Sequence, residues 1–535
     1  MGSVGEPERT LAQMIPASAG RSAEKLTWVV LAALTGWALV PVVYLLARAA
    51  LHHEMFAGGV SVVADDQLQY LAWVRSSGEH LLAADDFALR AGGHVFLQPM
   101  FLLSGLLWRA GVGIALSYLV WLPVAVGVLF AGFRCYTRRM LEPGPQRAAA
   151  LALAIFFVTP ADPLVGWIGG SAGLDVLAGE LSPTGSLFGY FPSAIAVGLL
   201  PLFALHLEQI VGPARHPAGC SRGWYVLGTA AIGATVSWLH PWQGETLLVL
   251  TATLLVTERF KAGSRPLLVA GGATAAPLLY YWILSRTDVA WRIGQAQSSV
   301  PRPSVGLLAL ALAPLVVLAV AGLDRGPRSS QARIVVLWPC SAVLVYFVSP
   351  GYAPHALEGL VLPLTVLAVR GWQRLRLPGW LALGAIIVAT VPGLARNLQI
   401  FRDAAHAGTP GMLLAPEETR ALSFLARATQ PGGVLPSLRV ATAIPAYTGR
   451  RTWIGHPGWT PDYQARARAV SALFSGTLSV AQARRFLLGV GARYVLADCE
   501  PRFGAAQLGA LLVSEHSFGC VTVYQLAIET TVSTL

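Results

Sequence analysis

The stretch SVVADDQLQYLAWVRSSGEHLLAADDF, Ser61 to Phe87, follows a long apolar run, Leu26 to Leu46, and precedes a second apolar region that begins near Val95. Two adjacent carboxylates, Asp65 and Asp66, stand immediately before an amphipathic pattern. Leu68, Leu71 and Val74 recur at helical spacing on one face, while Gln67, Gln69, Arg75 and Glu79 hold much of the other. The pattern predicts a surface-lying helix, entered through an acidic pair, in the first loop after the first span.

Composition bounds what surrounds that loop. The 535 residues are 55% hydrophobic and only 12% charged, with mean hydropathy +0.58. An average globular protein carries about 25% charged residues, so the chain reads as a polytopic membrane protein. The net charge of +11 is spread between apolar runs. No basic face with interleaved aromatics stands out, which argues against nucleic acid as a partner. Only Lys25 and Lys261 are lysines; with abundant Ala, Gly and Arg this is the usage of a GC-rich bacterial genome.

A span needs about 20 mostly apolar residues. Eleven candidates follow, near 27–47, 112–133, 148–160, 192–211, 224–240, 245–257, 266–284, 304–322, 332–349, 357–369 and 379–395. Val95 to Trp108 is apolar but contains Pro99, and reads as a re-entrant or interfacial helix. With residues 1–25 as a cytoplasmic tail, the inner loops carry Arg134, Arg138, Arg139 and Arg147, then Arg215 and Arg222. Arg259, Lys261 and Arg265 follow, then Arg325, Arg328 and Arg333, and finally Arg370, Arg374 and Arg376. The outer loops carry chiefly Arg75, Arg90, Arg286, Arg292 and Arg302. The positive-inside rule is satisfied at every inner loop. The expected organisation is a multi-span membrane domain over 26–396, with its first outer loop at 49–111, and a domain over 397–535 outside the plasma membrane.

That last region contains no further span. Ala415 to Thr429 and Leu478 to Leu488 read as helices, and Arg450 to Gly455, Arg493 to Ala497 and Cys520 to Ala527 as strands, so a small α/β domain is expected. Of the five cysteines, Cys135, Cys220 and Cys340 fall in inner loops or a span. Cys499 and Cys520 flank two strands; if these are antiparallel neighbours, the pair meets, and an oxidising compartment permits a disulfide. No His/Cys spacing indicates zinc, no cofactor is implied, and the sequence leaves a divalent-cation requirement open.

The phrase DDQLQYLAWVRSSGEHLLAADDF followed by VFLQPMFLLSGLLWRAGV resembles bacterial members of the GT-C glycosyltransferases, multi-spanning enzymes that use polyprenyl-phosphate sugars. The resemblance extends to the whole architecture: an acidic pair after span one, an interfacial helix ending near Asp85-Asp86, a multi-span all-α core and a C-terminal outer domain. It implies that one of Asp65 and Asp66 is the catalytic base, Asp66 being preferred because it meets the helix. Aminoarabinose transferases and protein O-mannosyltransferases carry Asp-Glu at this point, with a different distance to the position of Tyr70. The competing reading of Asp66-Gln67-Leu68-Gln69 is a helix-capping box.

Other candidates lie at outer loop ends. His240 in WLHPWQGETLL is followed by a helix-breaking Pro241 and by Glu245 at the head of a span. His355 and Glu358 in SPGYAPHALEGL share a helical face. The two histidines are candidate donor-phosphate contacts or turn caps. Arg286 and Arg292 offer permanent charge and forked donors for a phosphate, or anchor lipid headgroups. The glycine-rich loop Pro160 to Pro192, with Asp162, Asp175 and Glu180, is a lid or a connector. Gly455-His456-Pro457-Gly458-Trp459 with Asp462 reads as a carbohydrate contact, or as a turn whose Trp docks on the membrane domain.

The expected function is transfer of a sugar from a polyprenyl-phosphate carrier to a cell-envelope acceptor. The rivals are a polar-lipid transporter or flippase, which predicts charges at mid-span, and a non-catalytic glycan-binding membrane scaffold.

Overall fold

A computed structural model describes residues 17–90, 92–167, 172–212, 222–257, 264–297, 301–323, 330–409, 411–499 and 502–528. Residues 1–16 of the tail, Arg215, Cys220, Arg259, Lys261, Arg325 and Arg328 lie outside them. The chain opens with α1 (Ala17–His52), a two-residue strand β1 (Met55–Phe56), α2 (Ala64–His80) and α3 (Pro99–Arg109). Next come α4 (Ile114–Leu119), α5 (Trp121–Met140), α6 (Pro145–Phe156), α7 (Ala161–Trp167), α8 (Ala172–Leu181) and α9 (Phe191–Val211). The body continues through α10 (Arg222–Leu239), α11 (Pro241–Thr257), α12 (Ser264–Thr287), α13 (Val289–Gln297), α14 (Val305–Ala321), α15 (Ser330–Val348), α16 (Val361–Arg374) and α17 (Gly379–His406).

Each of the eleven apolar runs is met by a helix. Among the described residues six helical stretches are long and apolar enough to cross a membrane: Glu24–His52, Ile114–Met140, Phe191–Val211, Ser264–Thr287, Gln331–Val348 and Gly379–His406. The protein is a multi-pass membrane protein. Its helices approach closely where side chains are absent. A Cβ on Gly132 of α5 would stand 1.8 Å from the Gly198 carbonyl of α9, and one on Gly371 of α16 would stand 1.9 Å from the Leu318 carbonyl of α14. Lipid supplies no hydrophobic drive between helices, so backbone-to-backbone contact of this kind is what holds them.

Beyond α17 the chain is mixed. It runs through β2 (Leu413–Leu414), α18 (Pro416–Arg427), β3 (Val434–Pro436), α19 (Ala443–Thr448), α20 (Tyr463–Phe474), α21 (Val480–Val490), β4 (Tyr494–Ala497), β5 (Leu512–Phe518) and β6 (Val521–Leu526). The four-stranded sheet has the order β3-β4-β6-β5, with β3 parallel to β4 and the other pairs antiparallel. Strand alternation gives it two apolar faces. Val434, Tyr494, Leu496, Val521 and Val523 join α18, α19 and the core of the membrane body, whereas Leu435, Val495, Tyr524 and Leu526 pack with α20 and α21. The expected strand at Arg450–Gly455 does not form. Only Thr452 bridges to Val434, because the chain turns away through Pro457 and Gly458 towards α2. Cys499 and Cys520 are disulfide-bonded with Cα atoms 4.7 Å apart, at the ends of the antiparallel β4 and β6.

α2 forms where the apolar spacing predicts it, but it does not lie on a surface with one face open. Gln67 and Gln69 are buried along with Leu68, Leu71, Ala72 and Val74, between α3 on one side and α19 on another. β1 pairs with β2, so the loop after the first helix is stitched to the segment after the last membrane helix.

Candidate active site

The site is built on the first turn of α2. The helix starts at Ala64, with Val63 at its N-cap and no side-chain cap, so neither aspartate caps it and the capping-box reading is not realised. Asp65 and Asp66 are instead first-turn residues, where the helix N-terminus favours negative charge. Gln67 fixes the approach. Its Oε1 accepts from the backbone N–H of Val60 at 2.5 Å and of Ser61 at 3.2 Å, and its Nε2 donates to the Phe188 carbonyl at 3.0 Å. These bonds tie the turn before α2 to the turn before α9.

Both oxygens of Asp66 are engaged. Tyr190 Oη donates to Oδ2 at 2.9 Å, and His456 Nε2 lies 2.8 Å from Oδ1. His456 Nδ1 accepts from the Gly458 N–H at 3.0 Å, so the ring proton sits on Nε2 and points at the carboxylate. Asp66 retains about a third of its side-chain exposure (32%), against 11% for His456, so the carboxylate has an open side. Asp65 is bonded to Thr442, and burial raises its pKa above the ordinary carboxylate range. Tyr70, one turn along α2, packs edge-on against Tyr190 at 6.4 Å between ring centres.

The turn that carries His456 docks through Trp459, whose ring meets Trp73 of α2 at 5.0 Å and Trp291 of α13 at 5.2 Å, both edge-to-face. Trp459 is therefore a docking residue, as one of the two sequence readings had it.

A second polar cluster joins three separate segments. His355 Nδ1 is 2.8 Å from Glu180 Oε2 and 2.9 Å from Glu358 Oε1, and His240 Nε2 is 3.3 Å from that same Glu358 oxygen. Burial alone would keep His355 neutral; Glu180 and Glu358 outweigh it and push its pKa up to about 10. Gln243 Nε2 holds the His355 carbonyl at 2.6 Å, and Tyr352 bonds Glu180. Glu245 stands apart, bonded to Ser349.

No family model matches the sequence, and a search of curated proteins finds no match. Among solved structures, the Archaeoglobus fulgidus oligosaccharyltransferase tethered with an acceptor peptide matches with a TM-score of 0.50 at 11% identity, over 89% of this chain and 69% of that one. The fold is of the GT-C type. ArnT from Cupriavidus metallidurans bound to undecaprenyl phosphate gives a TM-score of 0.49 at 11% identity, over 92% of this chain and 98% of that one.

Within this GT-C fold the remaining candidates are scattered. Arg286 and Arg292 are exposed, Arg286 lying 5.7 Å over the Trp282 ring, and neither joins the bonds around Asp66 or His355. The segment 160–192 holds α7, α8 and a short 3₁₀ turn, Gly185–Leu187, in place of an extended glycine loop. Arg396 of α17 pins it through Asp162 at 3.1 Å and Asp175 at 3.2 Å. The sequence reading missed two partners of Asp66. Tyr190 follows a glycine whose φ of +90° shapes the turn, and His456 sits in a Gly-His-Pro-Gly turn. That turn was visible, but its target 390 residues away was not.

Proposed function

We propose that the protein transfers a sugar from a polyprenyl-phosphate carrier to a cell-envelope acceptor on the outer face of the plasma membrane, with Asp66 as the general base. The observation that carries this reading is the double anchoring of a partly open Asp66 carboxylate by Tyr190 and His456. A carboxylate offers about four lone-pair positions. Two are used by these donors, which fix its plane and leave a free position for an acceptor hydroxyl. As the acceptor oxygen attacks the anomeric carbon, its proton passes to Asp66. The bond from that carbon to the phosphate oxygen breaks, and the carrier phosphate leaves with the electron pair.

The GT-C fold supports the choice of substrate class, since a lipid-linked donor stays in the bilayer and the base must sit at the rim of a helical body. The disulfide supports an outer location for the C-terminal region. The exposed Arg286 and Arg292 are the proposed phosphate contacts; His240 and His355 are each already bonded to carboxylates. The transporter reading is disfavoured because the clustered His and Glu residues lie at helix ends: the buried His240 between α10 and α11, the half-buried Glu180 in the last turn of α8, and the half-buried His355 and buried Glu358 just before α16.

Asp66→Asn keeps shape and one acceptor oxygen but cannot take the proton. Assayed with polyprenyl-phosphate sugars, this variant should retain donor binding and lose turnover by roughly 10²–10⁴. Asp65→Asn is the matched control. Full turnover in Asp66→Asn would reject the assignment, and loss confined to Asp65→Asn would move the base by one residue.

A further inference from the structure

We propose that the cavity where the loop after α2 meets the start of α13 binds a terminal primary ammonium group, held by the carboxylates of Asp85 and Asp288 against the rings of Trp73, Phe96, Trp291 and Trp459. The four rings close on one another in a cycle. Their centres are 4.8 Å apart for Trp73 and Phe96, 4.8 Å for Phe96 and Trp291, 5.2 Å for Trp291 and Trp459, and 5.0 Å for Trp459 and Trp73. The rings supply the aromatic lining and the two aspartates its charge; no cationic side chain lines the cavity among the described residues.

Each carboxylate has one oxygen engaged and one spare. Asp85 is 7% exposed; its Oδ1 accepts from the Phe87 N–H at 3.0 Å, and its Oδ2 has no hydrogen-bond partner among the described residues. Asp288 Oδ1 accepts from the N–H groups of Ala290 and Trp291 at 2.9 and 3.1 Å, at the start of α13, and its Oδ2 likewise has no partner among them. Gly92 permits that approach, since a Cβ there would stand 2.5 Å from Asp288 Oδ2. Arg451 is taken up by Asp86 at 3.6 Å. A buried carboxylate without a partner is costly, and two in one cavity repel, so this lining calls for a cation.

The rest of the lining selects the cation. Ca²⁺ and Mg²⁺ take six or more oxygen ligands, and zinc-type ions prefer imidazole or thiolate; aromatic faces offer neither, but they attract an organic cation. A primary ammonium brings three N–H donors, enough for both spare oxygens, whereas a quaternary ammonium brings none and would leave both unpaired. The cavity of about 250 Å³ is smaller than the roughly 300–1,000 Å³ of pockets that enclose a whole small molecule, so it takes an end group. Trp73 lies about 10 Å along α2 from Asp66, and Trp459 belongs to the turn that carries His456, so the ammonium sits beside the Asp66 site. The shared chemistry is that of an ethanolamine lipid headgroup or of a soluble amine.

The test is binding to the full-length, detergent-purified protein and needs no transfer assay, so its failure is separable from failure of the transferase reading. The protein is titrated with ethanolamine hydrochloride at constant ionic strength, with ethylene glycol as the uncharged control, and followed by melting temperature and tryptophan fluorescence. Ethanolamine should give a saturable rise in melting temperature with Kd on the order of 1–10 mM, and ethylene glycol none. Asp85→Asn and Asp288→Asn each keep the acceptor for the backbone N–H groups and remove the charge. Each should weaken binding at least about tenfold, and Asp403→Asn, exposed on α17, should leave it unchanged. Affinity should also rise about tenfold from pH 6 to pH 8. Burial, with Asp86 and Asp288, pushes the Asp85 pKa up to about 7 against the Phe87 N–H and Arg451, with Arg466 also facing it, and the ammonium binds the ionised form. In nanodiscs the two sources separate. A lipid headgroup as ligand leaves ethanolamine without effect in phosphatidylethanolamine and active in phosphatidylglycerol, whereas a soluble amine as ligand gives equal responses in both. Absence of a saturable response in detergent and in phosphatidylglycerol overturns the proposal, as does a response that survives both aspartate substitutions.

Discussion

At the scale of single residues, Asp66 and its partners make the sharpest claims. His456 acts through the Asp66 carboxylate, its other ring nitrogen being held by the Gly458 N–H of its own turn, so it is a positioning residue. His456→Ala should lower kcat by roughly 10–100-fold with little change in KM for the donor, and His456→Gln, which restores an N–H donor, should recover part of the loss. An equal loss in both variants, with KM raised, would assign His456 to substrate binding or folding. Asp85 carries a different prediction. It is buried, and burial pushes its pKa up to about 7; the neighbouring Asp86, beside Arg451, is pushed up to about 6. A carboxyl whose native pKa is raised holds its proton more tightly folded than unfolded. Its contribution is therefore favourable below about pH 4, is lost as pH rises through about 7, and is fully adverse above that. Asp85→Asn keeps an acceptor for the Phe87 N–H, 3.0 Å from Asp85 Oδ1. It should flatten the fall in melting temperature between about pH 4 and 7 and stabilise the protein at pH 8 by about 1–4 kcal/mol. A variant less stable than wild type at pH 8 would refute the raised pKa. The acidic pair was legible because two carboxylates beside an apolar run are rare. His456 was not, since its significance lies in a contact that no local pattern encodes.

At the scale of elements, apolar periodicity was a sound guide to helix positions and a poor guide to which faces are covered. Gln67 was assigned to the solvent side by residue type. It is buried because all of its polar atoms find backbone partners, so burial costs it little. β5, LVSEHSF, escaped notice because it pairs on one side only and its residues alternate between exposed and half-covered. The glycine contacts between helices were equally silent, since a glycine in an apolar run announces nothing about its neighbour. They are testable on α5. Gly132→Ala must push the Gly198 carbonyl away, and should destabilise by about 1–3 kcal/mol. Gly127→Ala, on the same helix with no atom within 4 Å of the new methyl, should be neutral or stabilising by up to about 1 kcal/mol. Equal melting temperatures for the two variants would show that the α5–α9 contact tolerates a wider spacing.

At the scale of the whole molecule, the mixed α/β region is joined to the membrane body by β1–β2, by Trp459 and by a shared apolar core. The proposed orientation places it outside: reporters fused after Gly408 should be active only in the outer compartment, and reporters at Arg138 or Arg374 only in the cytoplasm. An inner signal from the C-terminal fusion would put Asp66 and its neighbours on the wrong side for a lipid-linked donor.

The pairing of Asp66 with His456 also has a consequence in time. The ribosome makes Asp66 among the first residues and His456 390 residues later, a delay of roughly 20–80 s at about 5–20 residues per second. Throughout that interval the first loop lacks its imidazole partner, and for most of it the β2 strand that pairs with β1 as well. A nascent chain therefore lacks the full set of Asp66 partners until it is nearly finished, and one truncated before His456 never gains it. The order of synthesis itself leaves the Asp66 site unassembled in half-made copies.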